Sequence, residues 1–311
     1  MPSGEKRFLP GMIPYPQKTR KTVSGCVEGG RTLWYNGDAS EPRAAEALRE
    51  LGGIGMKIIR DIVYGETGQC LDIYLPDGGA TGDAFLYFHG GGLEAGNRKI
   101  AEVFAPRMTA EGIAVLSADY RLYPEAKYPD FIEDAADAVA WAADHMKEYG
   151  AGEHLFVGGS SAGAYLSMML CFDRKYLDRH GIAPERVSGF LHDAGQPTCH
   201  FNVLRERGID TRRVIVDESS PMWHVGLRTE YPPMLFLVAD HDMQNRYEQT
   251  VLMLSTMRHF GCDMEKARLL VLPGKHCKYR WNVDENGENF YGKLIADFIR
   301  ECTDNTRITG M

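Results

Sequence analysis

His154-Leu155-Phe156-Val157-Gly158-Gly159-Ser160-Ser161-Ala162-Gly163-Ala164-Tyr165-Leu166-Ser167-Met168-Met169-Leu170-Cys171 joins a short strand-like run, His154 to Val157, to a helical run, Tyr165 to Cys171, through one tight Gly-x-Ser-x-Gly turn. A serine hydroxyl is a poor nucleophile at its free pKa, so it must stand clear of the backbone to reach both a base and a carbonyl carbon. A sharp strand-to-helix turn exposes it in this way, and the crowding demands very small residues two positions before and after, here Gly159 and Gly163. The helix that follows directs its N-terminal dipole at charge developing near Ser161.

Working outward, short apolar runs alternate with helical periods from Lys57 onward, the pattern of a mostly parallel twisted α/β sheet with helices on both faces. Ile58 to Tyr64 and Cys70 to Leu75 read as an antiparallel hairpin. Ala84 to Phe88, Ile113 to Ala118, His154 to Val157, Val187 to Leu191, Met234 to Ala239 and Arg268 to Leu272 read as buried strands. Helices are expected over Phe131 to Tyr149, with Phe131, Ala135, Val139, Ala142 and Met146 on one face, and between the last two strands, carrying Tyr247, Val251, Leu254 and Met257 at helical spacing. A closing helix near Glu288 to Cys302 carries Tyr291, Leu294, Ile295 and Phe298.

Two segments break the alternation: residues 1–55, with a short helix near Pro42 to Leu51, and Gln196 to Tyr231. Both are read as candidate caps, which gives an N-terminal segment 1–55, a main domain 56–303 with a small cap at 196–231, and a polar tail 304–311.

A second glycine run, His89-Gly90-Gly91-Gly92, directly follows the strand Ala84 to Phe88. Glycines there let backbone N–H groups approach a substrate oxygen, and the expected oxyanion donors are the amides of Gly91, Gly92 and Ala162. No Lys-Ser/Thr follows the glycines, which argues against a phosphate-binding loop. Base and acid are expected after the serine, at carboxyl ends of strands. Asp242 follows the strand Met234 to Ala239, and His276 lies in Pro273-Gly274-Lys275-His276 after the strand Arg268 to Leu272. Asp240 is the rival acid and His241 the rival base.

Taken with Asp119-Tyr120-Arg121-Leu122-Tyr123-Pro124-Glu125 and Pro232-Pro233, these motifs resemble the hormone-sensitive-lipase-like group of α/β hydrolases, from about Arg60 to the final helix. The resemblance implies a serine esterase without a cofactor that cleaves short-acyl carboxylic esters through an acyl-enzyme. It also favours Asp242 over Asp240 and gives the segment Tyr120 to Glu125 the task of holding the oxyanion loop. Ser160 stands where the family usually has Asp, Tyr123 where it has Ala, and Ala164 where it often has Gly. The connection Gln196 to Tyr231 is short for the family, implying a small cap and a site open to a bulky alcohol such as an acetylated sugar or plant polysaccharide fragment. An arylformamidase or other amidase would use the same triad. A ligand-binding protein on the same fold is the alternative of another class, and the presence of His276 argues against it.

Trp34, Tyr35, Trp223, Tyr231, Tyr279 and Trp281 are aromatic candidates for the pocket, with Trp223, Tyr279 and Trp281 the ones expected to bind substrate. Cys199-His200 and His276-Cys277 lack a second pair at ligand spacing, so no metal site is expected. A formal charge of −8 with scattered Lys and Arg offers no stripe for nucleic acid. The polar, proline-broken start and the absence of long apolar runs lead to the expectation of a cytoplasmic protein with no membrane partner. The seven cysteines are read as free thiols. A small-molecule ester is the expected partner, with homodimerisation left open.

Overall fold

The computed structural model describes residues 56–309 of the chain. The N-terminal segment 1–55, its expected short helix, Trp34 and Tyr35 lie outside the described residues.

Eight strands form one sheet in the order β1-β2-β4-β3-β5-β6-β7-β8. They are β1 Met56–Val63, β2 Cys70–Pro76, β3 Asp83–Phe88, β4 Ala114–Ala118, β5 His154–Ser160, β6 Gly189–Asp193, β7 Met234–His241 and β8 Ala267–Lys275. The expected hairpin is present: β2 runs antiparallel to β1 and to β4, and every later pairing is parallel.

Alternation along the strands sorts the core into two layers, because successive side chains point to opposite faces. Ile73, Leu86, Phe88 and Leu116 lie on one face, against α2 Asp130–His145, α3 Ala162–Phe172 and α6 Arg246–His259. Tyr74, Phe85, Tyr87 and Val115 lie on the other, against α1 Ala105–Ala110 and α7 Phe290–Thr309. Two short helices, α4 Lys175–Asp178 and α5 Phe201–Glu206, complete the set. The stripe Phe131, Ala135, Val139, Ala142 and Met146 is buried as expected.

Some boundaries and faces differ from the sequence reading. Helix α6 buries Arg246, Gln249, Thr250, Met253, Leu254 and Met257, so Tyr247 and Val251 stand at the margin of its inward face. Polar Gln249 and Thr250 hid that face from a search for apolar spacing. Strand β6 begins and ends two residues later than expected, because His192 and Asp193 continue it despite their polarity. Helix α7 runs beyond Cys302 to Thr309, into the stretch read as a tail. No helix among the described residues is long and apolar enough to cross a membrane.

Candidate active site

The turn after β5 has the geometry that its sequence demands. Ser161 adopts φ 55° and ψ −111°, a backbone conformation that typically costs about 1–3 kcal/mol for a side-chain-bearing residue. Two backbone hydrogen bonds hold it: Ser161 N donates to Asp193 O at 2.7 Å, and Tyr165 N donates to Ser161 O at 3.0 Å. A Cβ on Gly163 would lie 2.0 Å from Phe88 O, and one on Gly159 would lie 2.5 Å from the Gly163 carbonyl carbon, so neither position has room for a side chain.

His276, just past β8, places Nε2 2.9 Å from Ser161 Oγ and Nδ1 2.5 Å from Asp242 Oδ1. A carboxylate can only accept, so Nδ1 carries the proton and Nε2 is left as an acceptor facing the serine hydroxyl. Asp242 is fixed in turn by the amides of Ala239 and Met243, at 3.0 and 2.7 Å. Burial alone would push its carboxyl up, but the hydrogen bond and charge of His276 and the two amides outweigh burial and hold it below the usual carboxylate range. The rivals are employed elsewhere. Asp240 accepts from Gly274 N at 2.8 Å and pairs with His241 at 2.8 Å, and the His241 ring is 79% exposed.

The loop after β3 brings Gly90 beside Ser161: a Cβ there would lie 3.3 Å from Ser161 Cβ. Gly91 and Gly92 take φ 118° and 69°, which a side chain would strain. Among the described residues, no acceptor meets the amides of Gly91, Gly92 or Ala162, which leaves these three backbone donors unengaged. The Tyr120 ring stacks on His89 at 4.4 Å, and its hydroxyl donates to His89 O at 2.8 Å. Arg98 joins Asp119 to Asp72, and Arg121 grips buried Asp134. The stretch from Asp119 to Arg121 thus braces the glycine loop after β3.

The segment Gln196 to Tyr231 packs over this loop through contacts that sequence reasoning missed. Asn202 Nδ2 donates to Gly92 O at 2.9 Å, Arg205 pairs with Glu94, and a Phe201 ring carbon lies 2.9 Å from where a Gly92 Cβ would sit. Tyr165 OH anchors the far end of the segment on Ser219 O at 2.7 Å. A Phe-Asn pair eight residues past the end of an ordinary-looking strand carries no motif.

The aromatic candidates separate. Tyr279 is 1% exposed and its hydroxyl binds the Asp193 carboxylate, so its expected place on the pocket wall is corrected: it is a core residue. Tyr231 is likewise buried, against Phe172 and Arg228. Trp281 is half-buried five residues past His276, and Trp223 is 57% exposed. His200, read beside Cys199 as an unlikely ligand pair, caps α5 by accepting from Asn202 N, and burial holds its pKa well below normal.

Residues 85–188 match the model of an alpha/beta hydrolase fold family. Over 102 residues the chain is 40% identical to a carboxylic ester hydrolase of Mycobacterium tuberculosis, a match covering 32% of this chain and 27% of that protein. Over 166 residues it is 29% identical to a 3-O-acetylpapaveroxine carboxylesterase of Papaver somniferum, covering 46% of this chain and 48% of the relative. The chain therefore spans about a quarter to a half of the length of these curated relatives. Among solved structures, an esterase of Thermogutta terrifontis with propionate bound aligns with a TM-score of 0.61 at 22% identity, covering 81% of this chain and 95% of that one.

Proposed function

We propose that this chain, which has the α/β-hydrolase fold, is a carboxylic ester hydrolase that works through an acyl-enzyme on Ser161. The observation that carries the reading is the relay itself, with Nε2 of His276 2.9 Å from Ser161 Oγ and Nδ1 2.5 Å from Asp242. Ser161 Oγ attacks the ester carbonyl carbon as its proton passes to His276 Nε2, and Asp242 stabilises the imidazolium. The carbonyl oxygen, now an anion, takes hydrogen bonds from the amides of Gly91, Gly92 and Ala162. Collapse of the adduct expels the alcohol, which leaves with the proton from His276. Water then repeats the sequence on the acyl-enzyme, releasing the acid and restoring the serine.

The finer part of the proposal is a small acyl group, acetyl above all, on an alcohol as bulky as a sugar or plant polysaccharide fragment. Phe201 crowds the oxyanion loop, the cap at 196–231 contributes only the six-residue helix α5 and a single 3-10 turn, Pro221–His224, and one relative is named for an acetyl ester. Exposed Trp223 and half-buried Trp281 are the rings offered to the alcohol part. A reducing cytoplasm is the proposed setting, in keeping with six free cysteines among the described residues.

The test is a panel of acetyl, butyryl and octanoyl esters, acetylated xylo-oligosaccharides and N-formylkynurenine, run with the wild-type chain and Ser161→Ala. Acetyl ester turnover that Ser161→Ala abolishes, with stoichiometric labelling of Ser161 by an organophosphonate, is the expected result. Turnover of N-formylkynurenine alone would move the assignment to an amidase, and no labelling at all would move it to a binding protein.

A further inference from the structure

Beneath the nucleophile lies a buried carboxylate that the mechanism does not use. Asp193, the last residue of β6, is 0% exposed. Its Oδ2 accepts from Ser160 Oγ at 2.5 Å and from Tyr291 OH at 3.0 Å, and its Oδ1 accepts from Tyr279 OH. Ser160 Oγ in turn accepts from Tyr87 OH at 2.9 Å, and Tyr87 OH accepts from Arg280 Nη1 at 3.2 Å. One orientation of the protons satisfies the whole chain: guanidinium to phenol, phenol to serine, serine to carboxylate, with the two other phenols donating to the same carboxylate. A carboxylate removed from water is costly unless it is paired and fully hydrogen-bonded. Here three hydroxyls and, through Tyr87 and Ser160 in series, the buried Arg280 guanidinium meet that need.

What matters is where the partners come from. Ser160 immediately precedes the nucleophile, and the Asp193 carbonyl accepts the Ser161 amide at 2.7 Å. Tyr279 and Arg280 sit in the 3-10 turn Lys278–Trp281, directly after His276 and Cys277. Tyr87 lies on β3, two residues before His89 and the oxyanion glycines. One side chain therefore ties together the element carrying the nucleophile, the loop carrying the base and the strand leading to the oxyanion donors.

We infer that Asp193 is a positioning residue: through Ser160, Tyr279, Tyr291 and the Tyr87–Arg280 relay it fixes Ser161, His276 and the oxyanion loop relative to one another. The inference rests on the esterase reading above. Misplacement of reacting groups by about 1 Å costs on the order of a hundredfold in rate, so the effect belongs in kcat and not in KM.

The experiment compares wild type, Ser161→Ala, Tyr279→Phe, Asp193→Asn and the Tyr279→Phe/Asp193→Asn double variant on an acetyl ester and measures both the rate and the end-point stoichiometry of organophosphonate labelling. Tyr279→Phe removes one oxygen from a buried ring and is the variant that keeps the test decisive should Asp193→Asn not fold. Expected are a kcat loss of about tenfold for Tyr279→Phe and about a hundredfold for Asp193→Asn. KM should stay within about twofold, labelling should be slower yet still reach one per chain, and the Tyr279→Phe/Asp193→Asn double variant should be no worse than Asp193→Asn, since the bond that Tyr279→Phe removes is one of those that Asp193→Asn already perturbs. Wild-type kcat and labelling rate in Tyr279→Phe would overturn the inference. So would labelling that stops short of one per chain at an unchanged rate constant, the mark of a residue that only supports folding. A wild-type chain that turns over no ester sinks the esterase reading and the inference together, whereas normal turnover with indifferent variants sinks the inference alone.

Discussion

Gly163→Ala tests whether the closeness of α3 to β3 is what makes the site. The added methyl would sit 2.0 Å from Phe88 O, 2.5 Å from Phe88 C and 2.7 Å from His89 O. All three atoms are backbone at the end of a strand paired on both sides, so no rotamer change relieves the clash. Reaching even a tight contact requires the turn and the strand to part by about 1 Å, and the residues displaced are Ser161 on one side and the glycine loop after β3, the proposed oxyanion donors, on the other. Helix propensity opposes this by up to ~1 kcal/mol in favour of Ala. Overpacking typically costs about 1–3 kcal/mol, and with an obstacle made of paired backbone the upper end applies, for a net loss of about 1–2 kcal/mol. A 1 Å error between nucleophile and oxyanion donors lowers kcat by roughly a hundredfold. Urea unfolding and single-turnover hydrolysis of an acetyl ester read the two effects separately. The control is Gly78→Ala, where a Cβ would meet nothing within 4 Å; it should leave kcat unchanged and stability equal or higher. A Gly163→Ala protein with wild-type stability and kcat would refute the claim that contact distance sets the site.

Asp242→Asn should lower kcat by about 10⁴-fold because the amide favours the wrong imidazole tautomer, whereas Asp240→Asn, which alters only the groups facing Gly274 N and His241, should lower it by less than tenfold; steady-state kinetics on the pair decide between the two acids. Asn202→Ala removes the donor to Gly92 O and should reduce kcat about tenfold with little change in the unfolding midpoint. His192 is buried among Phe172, Phe190 and Phe236, and burial lowers its pKa to about 3. With the folded pKa depressed below the unfolded value of about 6.5, the unfolded state takes up the proton first, so stability falls as pH drops from about 6.5 toward 3, by about 2 kcal/mol per such histidine between pH 7 and 5. His192→Phe should flatten that part of the urea-midpoint profile, and an unchanged slope would exclude His192 as its source. Ser161→Gly should be about 1 kcal/mol more stable than Ser161→Ala, since glycine relieves the positive φ at some cost in unfolded-chain entropy, while neither variant turns over ester.

The parts of the site that were legible in the sequence share one property: each is forced by backbone geometry. Gly159 and Gly163 are demanded by the turn, Gly91 and Gly92 by positive φ, and Asp242 and His276 by their place just past the ends of β7 and β8. The strands were legible for a similar reason, since a buried parallel strand leaves a short apolar run wherever it occurs. The misreadings began where polar side chains go inward with their partners. Gln249 and Thr250 hid the buried face of α6, and His192 and Asp193 hid the end of β6.

Tyr279 is the instructive error. An aromatic three residues past the base looks like a pocket wall, because spacing along the chain reports nearness to His276 but not the side of the loop from which the ring departs. The direction is set by a hydrogen bond to Asp193 on a strand 86 residues away, and the Ser160 hydroxyl donates to the other oxygen of the same carboxylate. Two buried anions would repel where the register brings residues 160 and 193 side by side. The Ser at 160, which in sequence alone reads only as a departure from a family pattern, is thus coupled to the Asp at 193 and to the tyrosine at 279. A buried polar set of this kind becomes readable only when its members are considered together, since each residue taken singly is ordinary.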